Sequence, residues 1–252
     1  MTGSLGTSFG IRLNGGTSTV LNASNNTIGS ITINNAAATV HNFSGISCTG
    51  GTTTNVTINN NLVGSTSTAN SIQMPVATTS VSAQALNGIF ISSGPSVSAV
   101  TNNTVANLYN SYNSTSTTAF TRGIAVTTSA TTVTGNTVRN LTYGGLGTGA
   151  GISSGVTGIG VSATTGVNTV SSNTVHTLKL TNASATTQKI EITGMYIGGG
   201  TFANVVAKNT IHSLSLVAND TAAVITGIDN GAGTVTFDIV QSVAAPCSVE
   251  VA

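Results

Sequence analysis

Apolar residues recur along this chain in short alternating runs that never extend to helical spacing over two turns. In Gly123-Ile124-Ala125-Val126 the larger apolar side chains fall at every second position, the period of a half-buried strand. A Thr/Ser/Gly turn follows, then Thr132-Val133-Thr134-Gly135, then the Asn136-Thr137-Val138 strand, then a looser segment. That unit repeats. The motif Asn-Thr-Val/Ile-x-x-Leu/Ile begins at Asn26, Asn103, Asn136, Asn173 and Asn209, with a degenerate copy at Asn61-Leu62-Val63. A second motif, Gly-Ile/Met-x-apolar, begins at Gly10, Gly45, Gly88, Gly123, Gly158 and Gly194, with a partial copy at Gly227. Both step by about 35 residues, so the chain is an array of one structural unit.

Three short strands per unit, repeated in register, describe one coil of a solenoid whose strands stack at about 4.8 Å. No single unit could bury its apolar face alone, and stacking joins the faces into one core. The expectation is an all-β fold with about seven coils of roughly 35 residues, a rod about 30 Å long with a looped face. Residues 1–9 read as a lead-in, 10–238 as the repeats and 239–252 as a tail without repeats.

The Asn-Thr-Val-x-x-Leu and Gly-Ile-x-Val motifs together resemble the right-handed parallel β-helix repeats of large secreted bacterial surface proteins. The resemblance covers the repeat region and implies a right-handed parallel β-helix. It is specific for the fold and not for an activity, because enzymes, passenger domains and plain stalks all use it.

Composition narrows the function classes. Thr, Ser, Asn and Gly make up more than half of the 252 residues, and Asp, Glu, Lys and Arg only 4%. A net charge of +1 provides no footprint for nucleic acid, and no apolar run is long enough for membrane insertion. The start, Met1-Thr2-Gly3-Ser4, has no signal-peptide pattern. Low charge and rare Cys fit an extracellular or cell-surface location, which the resemblance also implies. The lack of an N-terminal amphipathic cap implies partners that are the rest of a longer solenoid or identical copies stacked end to end.

The candidate chemistry is sparse. Asn26, Asn61, Asn103, Asn136, Asn173 and Asn209 lie one period apart, so their amides are expected to form a structural ladder at a turn. The recurrent Gly is expected to supply a positive φ. Arg139, His176 and His212 share one outward position on successive coils and read as a solvated face rather than a metal site. Cys48 replaces an inward apolar residue, and Cys247 lies too many coils away to bridge to it. No catalytic, cofactor or metal residues are assigned. Glu191 and Asp229 are the acids with a chance to meet across coils, the one opening for a polysaccharide-processing activity. Tyr109, Tyr112 and Tyr143 on the looped segments, with outward Phe90 and Tyr196, form a candidate ligand face for a glycan. A structural or adhesive module is therefore the leading expectation, with a carbohydrate-binding or polysaccharide-processing fragment as the alternative. A threonine-rich ice-binding solenoid ranks lower, because the outward positions after Gly-Ile are mixed, from Arg12 and Ser47 to Tyr196 and Asp229.

Overall fold

The structure, a computed structural model, describes residues 6–14, 16, 20–34, 40–49, 55–75, 84–93, 96–111, 118–145, 149–181, 190–198, 202–217, 222–231, 238–240, 243–244 and 248–250. These residues form a parallel β-solenoid with three sheets running along its axis. The first sheet stacks Gly6–Leu13, His41–Thr49, Gln84–Ser93, Phe120–Val126, Val156–Val161, Glu191–Ile197 and Val224–Asn230. The second stacks Val20–Ser24, Asn55–Asn59, Val97–Thr101, Ala130–Thr134, Thr169–Ser171, Val205–Ala207 and Asp238–Val240. The third is built around Thr104–Asn110, Thr137–Tyr143, Thr174–Leu180 and Thr210–Val217, with shorter strands continuing it at both ends.

Of the seven strands in the first sheet, the five from His41–Thr49 to Glu191–Ile197 have neighbours on both sides. The fully enclosed part is thus about five turns, fewer than the seven coils expected. The end strands Gly6–Leu13 and Val224–Asn230 contain no fully buried residue. Pairing also begins at Gly6, ahead of the expected lead-in boundary. It continues past residue 238, where Val243–Ala244 and Ser248–Glu250 add to the third sheet. Backbone pairing needs no repeat motif, which is why the motifs understate its extent.

Register converts the motifs into continuous inner columns. Ile11, Ile46, Ile89, Ile124, Ile159, Met195 and Ile228 are successive partners in the first sheet. Ala23, Ile58, Val100, Val133, Val170 and Val206 do the same in the second. Apolar residues of similar type, mostly Ile and Val, stack on one another along each column.

In a regular strand, Val and the Leu three positions later would face opposite sides. Here both are buried, as at Val138 and Leu141. The residue just before that Leu adopts the left-handed region, at Asn107, Asn140, Thr177 and Ser213, with φ of 61°, 54°, 56° and 57°. This one residue turns the strand and returns the Leu to the core.

The Gly-Ile glycines have a different role from the one expected. None of Gly10, Gly45, Gly88, Gly123, Gly158 or Gly194 is among the positive-φ residues. They are glycine because the interior has no room for a Cβ. At Gly88 it would lie 2.6 Å from the carbonyl oxygen of Gly123 and also collide with Cγ1 of Val105 across the core. The first and third sheets meet there backbone to side chain.

Candidate functional site

Along the outer face of the first sheet, register aligns three columns of outward side chains. Thr7, Asn42, Ala85 and Phe120 make one, Phe9, Ser44, Asn87 and Arg122 the second, and Arg12, Ser47, Phe90 and Ala125 the third. All of these but Ser47 and Ala125 line a groove of about 890 Å³ across the first four turns. A 3-10 turn, Gly151–Ser153, crosses the face next to it. Ile152 covers Gly160, and Ser153 closes that end of the groove.

Arg122 is the unusual group. It is only 6% exposed, on a chain with six basic residues in all. Its guanidinium carbon lies 3.5 Å from the centroid of the Phe120 ring, a stacked cation–π contact. Nη2 donates to the Ser153 hydroxyl at 3.0 Å. Among the described residues Nε has no hydrogen-bond partner, and no acid lines the groove. Burial pushes its pKa down to about 9, which leaves it charged at neutral pH. Beside it, the Oδ1 of Asn87 is buried and has no partner among the described residues, while its Nδ2 donates to Ser44 at 3.4 Å. At the far end Arg12 lies 5.3 Å from the Phe9 ring centroid.

The six ladder asparagines occupy a turn between the second and third sheets. In each step, the backbone N–H and Nδ2 of one Asn both donate to Oδ1 of the next, at 2.9 to 3.0 Å from Asn26 to Asn209. Nδ2 also caps carbonyls of the preceding turn, as in Asn136 to Val100 at 2.8 Å. Every ladder Asn follows a residue with positive φ: Asn25, Asn60, Asn102, Gly135, Ser172 and Lys208. A shorter amide pair absent from the sequence reading, Asn168 to Asn204 at 2.9 Å, lies at the entry to the second sheet.

The expected ligand face divides. Phe90 lies in the groove. Tyr196 is on the same sheet beyond the 3-10 turn, with its ring packed over Gly151, Gly198 and Gly231. Burial raises its hydroxyl pKa, and Asp229 raises it further. Tyr109 is half-buried on the outside of the third sheet. Tyr143 belongs to the core instead, fully buried in the position held by Leu180 in the next turn. The left-handed residue Asn140 resets the alternation and turns it inward. Tyr112 lies outside the described residues, as does Cys247. Cys48 is fully buried in its inward position.

Arg139, His176 and His212 are outward on the third sheet. The two imidazoles stack with centroids 4.7 Å apart and planes at 6°. Each Nδ1 is bonded to a neighbouring hydroxyl, of Thr177 or Ser213. Among the described residues no group of three or more His, Cys, Asp or Glu is placed to hold a metal. Glu191 and Asp229 are kept apart, because Asp229 pairs with Tyr196, five positions along the strand from Glu191. That is roughly 16 Å, against the 5 to 10 Å or so of a carboxylate pair that cleaves glycosides. Glu191 is instead buried and accepts from the Thr193 hydroxyl at 3.0 Å.

The second sheet also presents an ordered outer face rich in Thr, Ser and Asn. Its columns run Asn22, Thr57, Ala99, Thr132, Thr169, Val205 and Ser24, Asn59, Thr101, Thr134, Ser171, Ala207. Its hydroxyls bond within the sheet, as Thr101 to Asn59 at 2.9 Å and Thr134 with Ser171 at 3.1 Å. The groove, with its unmet donor and acceptor, is the stronger candidate for a ligand.

Sequence reasoning missed Phe9, Asn87, Phe120 and Arg122 as a set. A signal existed: Gly10-Ile11-Arg12 and Arg122-Gly123-Ile124 place two of the three arginines beside the same motif, on faces that register aligns. No helix among the described residues is long and apolar enough to cross a membrane. Comparison of the chain with protein-family models, with curated proteins and with solved structures finds no match in any of the three.

Proposed function

We propose that this chain is a non-catalytic structural and adhesive β-solenoid module of an extracellular or cell-surface bacterial protein. The observation that carries the adhesive part is the groove: three Phe rings interleaved with amide, hydroxyl and guanidinium groups on a rigid sheet. Flat rings and fixed polar groups are what a sugar requires, an apolar face to stack on and partners for its hydroxyls. The stacking part rests on the two ends, where Ile11, Leu13, Leu21 and Ile31 at one and Ile225 and Ile228 at the other are half-buried, in positions fully buried in between. They supply apolar surface for the rest of a longer solenoid or for identical copies. The groove equally favours the carbohydrate-binding form of the alternative, a fragment of a polysaccharide-recognising β-helix protein.

The test is retention on an array of immobilised polysaccharides, with electron microscopy of the same preparation. Binding to at least one polysaccharide class, weakened by Phe90→Ala, is expected, together with rods that join end to end. Monodisperse short rods that bind no polysaccharide would overturn the proposal.

A further inference from the structure

We infer that the groove on the first sheet recognises an acidic polysaccharide bearing carboxylates, with Arg122 and Arg12 as the anion-binding groups. The inference rests on the adhesive reading and deepens it by naming the ligand class.

A buried guanidinium without an acid beside it is costly, and proteins ordinarily pair such a charge or expose it. Arg122 has a Phe ring on one face and one hydroxyl on Nη2, and among the described residues nothing on Nε. Asn87 and Thr157 flank it in register, and neither carries charge. Arg122 lines the groove with its guanidinium held over the Phe120 ring, and a planar guanidinium is the group that takes a carboxylate through two parallel bonds. Asn87, which also lines the groove, adds an amide whose Oδ1 has no hydrogen-bond partner among the described residues.

Length sets the rest. Arg12 and Arg122 stand on the first and fourth strands of the sheet and three positions apart along the strand, so their backbones are roughly 17 Å apart. A single small anion cannot meet both. An extended chain with repeated anionic groups can, and Phe90 lies between them on the third strand to stack on an intervening sugar. A densely phosphorylated polymer such as nucleic acid would call for a broad basic surface, and the whole chain has six basic residues.

The experiment is calorimetric titration of the full chain with polygalacturonate, and with dextran, polyglutamate and dextran sulfate as comparators. Polygalacturonate is expected to bind, and to bind more weakly as salt rises. Arg122→Gln should weaken it by roughly tenfold or more, and Arg122→Lys, which keeps the charge but loses the fork, by less. Arg122→Met separates binding from folding. If the cation is held for a ligand, its removal abolishes binding and raises the Tm, because an uncompensated buried charge is gone; a lower Tm with affinity unchanged would overturn the inference. Equal affinity for dextran, weakened by Phe90→Ala, would also overturn it while leaving the adhesive reading in place. A stronger response to polyglutamate or to dextran sulfate, which carries no carboxylate, would reassign the ligand class and sink it. Failure with every polysaccharide removes both readings.

Discussion

At the residue scale, the sequence places a few polar groups where a hydrophobic interior would otherwise have unmet backbone. Asn136 is the clearest. It is 1% exposed, its Oδ1 accepts from the backbone and amide of Asn103, and its Nδ2 reaches the carbonyls of Val100 and Thr134. Asn136→Ala strands a buried N–H and a buried carbonyl together, so the expected loss is about 3 kcal/mol, read as a lower urea midpoint. Asn26 heads the ladder and is half-exposed, so the same change there costs less. The ladder was legible in the sequence because its spacing equals the coil length. The left-handed residues ahead of it were not. Asn25 and Gly135 advertise such a conformation, but Ser172 and Lys208 adopt it only because the neighbouring coils impose it.

At the scale of the element, the third-sheet strands explain both a success and a miss. Alternation from Val138 correctly puts Arg139 outside, and with it His176 and His212. Beyond the left-handed residue alternation restarts, so Tyr143 turns inward against expectation. The His column has a consequence for pH. The pKa of His176 is lowered first by burial, then by His212 and Arg139, and that of His41 is lowered by burial. A base whose folded pKa is depressed takes up its proton more readily when unfolded, so stability is complete above the unfolded value of about 6.5 and falls as pH drops below it. Urea midpoints should therefore decrease from pH 7.5 to pH 5, and His176→Gln should flatten part of that decrease. A midpoint that rose on acidification would contradict the assignment.

At the scale of the whole molecule, stability is carried by contacts between adjacent turns, and position along the axis decides what a contact is worth. Ile124 lies in the middle of its column, fully buried, whereas Ile11 at the end is only partly buried. Ile124→Ala is expected to cost about 4 kcal/mol and Ile11→Ala about 1 kcal/mol. Chemical denaturation of the two variants checks this, and equal losses would mean that the end turn is as enclosed as the middle. The same one-dimensional construction makes the groove: outward residues from four turns, scattered over more than a hundred positions of sequence, become adjacent at one strand spacing.

The sequence by itself determined the fold class, the repeat length, the inner columns and the Asn ladder. Each follows from periodicity, and a periodic chain has to stack like on like. Only the tertiary structure decided where alternation resets, why the Gly-Ile glycines are glycine, and which outward residues share a surface. Those depend on register between turns. Arg12, Phe90 and Arg122 lie on loosely similar stretches of different repeats, and nothing local says that they face one groove. Stacking at a fixed rise, with loops of unequal length between the strands, brings them together.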